Sequence, residues 1–177
     1  MRQTVTAARV EQFMKALGQG VKEPARVFLV GGASAVLLGW RNATIDIDLK
    51  ALPERDDLLR QLSTLKERLE INIELAAPDN FIPELPGWED RSQFVRQEGR
   101  VTFLHYDFYA QALAKLERGH EGDRRDIEQM VKRNLVEPEK LLHLFAAIAG
   151  EIPRFPALDA TSFRRAVEQF VASTRKE

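Results

Sequence analysis

Residues 28–49 read FLVGGASAVLLGWRNATIDIDL, and this stretch decides how the remainder of the 177-residue chain is interpreted. An apolar run at 27–30 ends in a glycine pair, Gly31 and Gly32. Ser34 and a short apolar segment at 33–38 follow, and then a second apolar run carries Asp46 and Asp48. The order is strand, glycine turn, helix, strand. The two-residue period of a strand puts both aspartates on one face, with Ile45, Ile47 and Leu49 on the other. Aspartate is depleted in strands and like charges at i, i+2 repel, so such a pair needs water, a cation or a basic partner. The glycines let the backbone approach a ligand closely, the helix start after them presents unpaired N–H groups to an anion, and Ser34 adds a hydroxyl. Taken singly, these features also fit a strand end with solvated aspartates and a tight turn with no ligand.

The third acidic residue comes from farther along. Pro53 opens a helix with Asp56 and Asp57 in its first turn and Leu58, Leu62, Leu65 and Leu69 along its apolar face. The segment INIEL at 71–75 then alternates strictly, setting Asn72 and Glu74 opposite Ile71, Ile73 and Leu75. Three strands in this order can bring Glu74 beside Asp46 and Asp48. Three carboxylates on adjacent strands make a hard oxygen donor set suited to Mg²⁺ or Mn²⁺, and Asn72 offers no ionised alternative to Glu74.

The flanks complete the fold class. Ahead of the stretch, Val10, Phe13, Met14 and Leu17 form a helical stripe closed by Gly18 and Gly20. Behind it, 77–88 reads as a loop broken by three prolines, and 93–96 and 101–106 read as paired strands around Gly99. The remainder is helical: 108–118 stopping at Gly119, 123–132, a helix from Pro138, and a last one carrying Phe163, Ala166, Val167, Phe170 and Val171. The expectation is one domain over 1–177, with an α/β (α+β) core at 1–107 and a helical part at 108–177. A formal net charge of −1 gives no electrostatic announcement of a nucleic-acid or membrane partner. The chain has no cysteine, which excludes disulfides and thiolate metal sites. No run approaches membrane-spanning length and residues 1–20 lack a signal-peptide core, so a cytoplasmic protein is expected. His105, His120 and His143 are too dispersed for a zinc site.

Residues 112–131, ALAKLERGHEGDRRDIEQMV, hold the second informative pattern. On a helical projection Asp123 and Asp126 fall on or beside the apolar arc of Ile127 and Met130, where an ionised carboxylate needs a partner. Lys115 and Arg118 on the preceding helix are better placed for this than Arg124 and Arg125 if the two helices pack as a hairpin. A structural ion-pair cluster between the helices is one reading of these residues. A functional one follows from a resemblance.

The spacing GG-x13-D-x-D followed by a third acidic strand resembles the nucleotidyltransferase superfamily related to DNA polymerase beta, over about 27–75. The resemblance implies a small mixed β-sheet flanked by helices with a C-terminal helical bundle. It also implies that Asp46, Asp48 and Glu74 hold divalent metal, Mg²⁺ or Mn²⁺, and that Gly31, Gly32 and Ser34 cradle the triphosphate of a nucleoside triphosphate. Glu74 departs from the more common aspartate. The lysine, short arginine-containing turn and D-x-x-D of the helical half look like the C-terminal motif of AbiEii-type nucleotidyltransferase toxins. By that likeness Lys115, with Arg118 beside it, contacts the nucleotide phosphates, and Asp123 or Asp126 orients Lys115 or acts as base. The implied reaction moves a nucleoside monophosphate onto a hydroxyl of a macromolecule. Transfer RNA is the acceptor suggested, a protein side chain the variant, and a cognate antitoxin the partner. A catalytically silent binding module or antitoxin-like regulator is the alternative from another class. Sugar transferases also use D-x-D, but with a longer chain ahead of it.

Overall fold

The computed structural model describes residues 2–176, and the chain divides into two compact units. The first comprises the chain up to Ala77 together with Ser92–Tyr106, and the second comprises Pro78–Arg91 and the chain from Asp107 onward.

In the first unit, five strands form one sheet: β1 (Ala25–Val30), β2 (Asp46–Leu52), β3 (Asn72–Leu75), β4 (Gln93–Glu98) and β5 (Val101–His105), in the order β3-β2-β1-β5-β4. The sheet is mixed, with β1 antiparallel to β2 and parallel to β5, and β2 parallel to β3. β4 and β5 are an antiparallel hairpin turned at Gly99, whose φ is +58°. Three helices accompany the sheet: α1 (Ala7–Gly20), α2 (Gly32–Leu38) and α3 (Asp56–Arg68). Alternation along the strands sends Val27, Leu29, Ile47, Leu49, Ala51, Ile73, Val101 and Phe103 to one face. There they are buried in one cluster with Val10, Phe13, Met14 and Leu17 of α1, Ala33 and Val36 of α2, and Leu58, Leu62 and Leu65 of α3. Phe13 and Phe103 meet edge to face within it, ring centroids 6.3 Å apart. The opposite face carries Phe28, Asp46, Asp48, Lys50, Asn72 and Glu74, the residues left over by the same alternation.

Three sequence expectations are corrected here: the role of Gly18, the start of α3 and the face of Ile45. α1 ends at Gly20 as expected, but Gly18 lies inside its last turn, where the helix touches the β4–β5 hairpin. A Cβ there would lie 2.5 Å from the Glu98 carbonyl oxygen, so a close backbone approach, not a helix stop, requires the glycine. α3 begins at Asp56, after Pro53, with Arg55 as its N-cap residue and the Arg55 guanidinium reaching the carbonyls of Glu23 and Pro24. Ile45 does not share the inner face with Ile47 and Leu49. It is 73% exposed, because Thr44 pairs back to Val5 and the chain bends before the ladder starts at Asp46. Leu75 ends an edge strand and is half exposed.

The second unit is helical: α4 (Trp88–Arg91), α5 (Phe108–Arg118), α6 (Glu121–Lys132), α7 (Pro138–Ile148) and α8 (Ala160–Thr174), with 3₁₀ turns at Pro78–Asn80 and Ala149–Arg154. Asp107 caps α5, accepting from the Tyr109 amide and from the Arg91 guanidinium. Burial pushes the Asp107 carboxyl up, and the Arg91 hydrogen bonds only partly offset this. Gly119 ends α5 in the left-handed conformation, its N–H donating to the Lys115 carbonyl, and α6 starts two residues later. α7 and α8 pack through Phe145 and Phe163, whose rings lie edge to face with centroids 4.8 Å apart. Among the described residues no helix is long and apolar enough to cross a membrane.

Candidate functional site

The carboxylates of the first unit meet because of register. Parallel pairing of β2 with β3 sets Asp46 opposite Asn72 and Asp48 opposite Glu74, while antiparallel pairing of β1 with β2 sets Val30, the last residue before the glycines, opposite Asp48. Asp46, Asp48 and Glu74 therefore share one corner of one face, and one oxygen from each lies within 4.8 Å of the others. The two aspartates are half-buried and Glu74 is exposed, so the corner is open at its Glu74 side. Among the described residues this is the one group of three or more side chains able to ligate a metal ion.

The glycine turn stands over the same corner. Gly31 has φ +59° and ψ −122°, a conformation open to glycine alone, and a Cβ on it would lie 3.9 Å from Asp48 Oδ2. Gly32 is required for a different reason: its Cβ would strike Thr44 Oγ1 at 2.0 Å, because Thr44 crosses directly over it. Ser34 is fully buried, and its hydroxyl is committed to the interior of the unit. It donates to the Leu29 carbonyl at 3.3 Å and lies 2.8 Å from His105 Nδ1. Burial depresses the imidazole pKa from 6.5 to about 4, so this histidine is neutral at physiological pH.

Asn72 is the residue that sequence reasoning undervalued. Lacking a charge, it was no candidate ligand, yet its Nδ2 donates to Asp46 Oδ1 at 2.6 Å and to Glu74 Oε1 at 2.7 Å. Its Oδ1 accepts from Arg2 Nη1 at 2.8 Å, and Arg2 Nη2 donates to Glu67 Oε1 at 2.9 Å. The signal was present in the alternation of INIEL, which puts Asn72 on the Glu74 face. The pairing with Asp46 required the register of the sheet.

The second unit holds the other predicted constellation. Lys115, Asp123 and Asp126 are all buried, and the α5–α6 hairpin brings them together. The Lys115 ammonium donates to Asp126 Oδ2 at 2.9 Å and to Asp123 Oδ1 at 3.3 Å. Arg118 grips both oxygens of Asp123 through Nε and Nη2. Burial by itself raises the Asp123 carboxyl, but the Arg118 hydrogen bonds and the charges of Lys115 and Arg118 outweigh it, and its pKa lies below the ordinary value. Arg124 and Arg125 turn outward and pair with Glu128 and Glu121 on their own helix. His120 Nδ1 stands 4.0 Å from Asp123 Oδ2 at the exposed helix start. On α7 and α8 the outward basic residues have partners as well: Arg175 pairs with Glu139 at 2.7 Å, and Arg164 lies over the Phe145 ring.

The donor set of the first unit, three carboxylates with no sulfur or imidazole among them, fits a hard divalent cation that keeps some of its water. Comparison with curated proteins gives no match, and neither does comparison with solved structures. Residues 7–175 match a family model described as a nucleotidyltransferase of unknown function (DUF6036), which spans both the acidic corner and the α5–α6 cluster. With the five-stranded mixed sheet, the glycine turn and the three clustered carboxylates in place, the chain belongs to this family of nucleotidyltransferases.

Proposed function

We propose that the protein is a metal-dependent transferase that moves a nucleoside monophosphate from a nucleoside triphosphate onto a hydroxyl of a macromolecule, with RNA, and tRNA first, as the acceptor. The observation that carries this reading is the convergence of Asp46, Asp48 and Glu74 beside the Gly31 backbone. In this reading the three carboxylates hold Mg²⁺ or Mn²⁺, and Gly31 and Gly32 give the triphosphate room to approach the backbone while Ser34 braces the turn from its buried side. A bound cation would supply Lewis-acid neutralisation of the phosphate charge there. The acceptor oxygen forms a bond to the α-phosphorus as the bond from that phosphorus to the β-phosphate's bridging oxygen breaks. Pyrophosphate departs, and the hydroxyl proton passes to solvent or to a carboxylate. Positioning and charge neutralisation supply the rate in such a transfer, with no covalent enzyme intermediate. For the second unit we propose Lys115 as a phosphate-binding cation assisted by Arg118. Asp123 and Asp126 then act as the residues that hold its ammonium in place.

The resemblance to AbiEii-type toxins supports the RNA acceptor and a cognate antitoxin as partner. A protein hydroxyl is the variant acceptor within the class, and a silent binding module is the alternative reading. Incubation with each α-labelled nucleoside triphosphate, Mn²⁺ or Mg²⁺, and either total tRNA or a cell lysate separates them. The expected outcome is label on RNA from wild type and none from Asp46→Ala/Asp48→Ala. Label on protein alone would move the acceptor, and no label under any condition would favour the binding module. Equal transfer by the double variant would sink the metal assignment.

A further inference from the structure

We propose that Asn72 is a positioning residue for the metal centre: its amide, oriented by Arg2, sets the spacing of Asp46 and Glu74 for a divalent cation. The inference rests on the metal-dependent reading above and adds to it a residue outside the ligand set. Two ionised carboxylates offer only acceptors, so the group between them must present hydrogens to both. An asparagine side chain has two N–H bonds on one nitrogen, and here one goes to Asp46 Oδ1 and the other to Glu74 Oε1, at 2.6 and 2.7 Å. The opposite end of the amide accepts from Arg2 Nη1 at 2.8 Å, which rules out the flipped amide, since that would set an N–H against a guanidinium donor. Arg2 is in turn tied to Glu67 on α3.

This arrangement does two things for a cation site. It restrains one oxygen of Asp46 and one of Glu74, which would otherwise repel each other apart, and it engages only one oxygen of each carboxylate. It also adds no negative charge, so the cation still faces three carboxylates rather than four. Partners of this kind fix the ligands of metal sites, and their loss commonly weakens metal binding roughly 10- to 100-fold.

The test is calorimetric titration of Mn²⁺ into wild type, Asn72→Leu, Asn72→Gln and Arg2→Ala, alongside melting temperatures measured in EDTA. The Mn²⁺ dissociation constant is expected to rise about 10- to 100-fold in Asn72→Leu. Asn72→Gln, which keeps an amide donor, recovers part of that loss, and Arg2→Ala shows a smaller rise. A purely structural brace would lower the metal-free melting temperature and leave the Mn²⁺ constant unchanged, which overturns the inference while the metal centre stands. Wild type that binds no Mn²⁺ overturns the metal centre and this inference together. Should Asn72→Leu fail to fold, the surface substitution Arg2→Ala decides alone, and an unchanged constant there counts against the relay.

Discussion

His105 shows how burial turns an ordinary residue into a measurable one. In the sequence it is one of three scattered histidines. In the fold it sits behind the glycine turn, bonded to Ser34 and kept neutral. The unfolded chain takes up a proton on this residue below about pH 6.5 while the folded chain resists until about pH 4. The sign follows: above pH 6.5 the group contributes no pH dependence, and as pH falls from 6.5 through 4 the unfolded state is favoured, by up to roughly 3 kcal/mol. Urea denaturation at pH 7, 5.5 and 4.5 is expected to show this slope in wild type and its flattening in His105→Gln, whatever the variant's stability at pH 7. An identical slope in both proteins would mean that His105 is not the titrating group. Asn72 carries the same lesson in another form. The face it shares with Glu74 could be read from alternation, whereas its pairing with Asp46 needed β2 and β3 in register.

For the α5–α6 hairpin, helical periodicity alone put Asp123 and Asp126 on the inward arc, and both are buried there. The partner choice between Lys115 and the adjacent arginines needed the turn at Gly119, which folds α6 back along α5. A buried charge stripped of its partner is costly, commonly 3–5 kcal/mol, because the remaining ion stays out of water. Lys115→Met is therefore expected to lower the unfolding free energy by about 3 kcal/mol, and Lys115→Met/Asp126→Leu to recover part of it. Denaturant unfolding of the two variants checks this. If the single variant is as stable as wild type, the cluster contributes little to folding. If a folded Lys115→Arg protein loses transfer activity while keeping its stability, the phosphate-binding role gains support. Gly18 shows where local reading fails: a glycine near a helical stripe reads as a stop, but the reason for it lies about 80 residues away in the Glu98–Gly99 turn.

Over the whole molecule, the proposed metal centre predicts a stability that depends on metal, since three carboxylates crowd one corner. An ion that binds only the folded state adds RT ln(1 + [L]/Kd), about 2.7 kcal/mol at a hundredfold excess over Kd. Mn²⁺ is expected to raise the melting temperature of wild type by several degrees, EDTA to reverse the shift, and Asp46→Ala/Asp48→Ala to show no response. A shift of equal size in the double variant would place the ion elsewhere. The candidate metal residues were legible because strand alternation is a local property: two aspartates two residues apart must share a face, and so must Asn72 and Glu74. The apolar stripes of α1, α3 and α8 were legible for the same reason, since each buries a face that its own period defines. Tertiary structure alone decided which strands are neighbours, how β3 registers on β2, and why Gly18 and Gly32 have no side chain. It alone also turned the Ser34 hydroxyl inward and supplied the α5–α6 hairpin on which the expected pairing of Lys115 with Asp123 and Asp126 depended. These are contacts between residues distant along the chain or across a turn, and they depend on how elements pack, whereas periodicity reports only which way each residue faces.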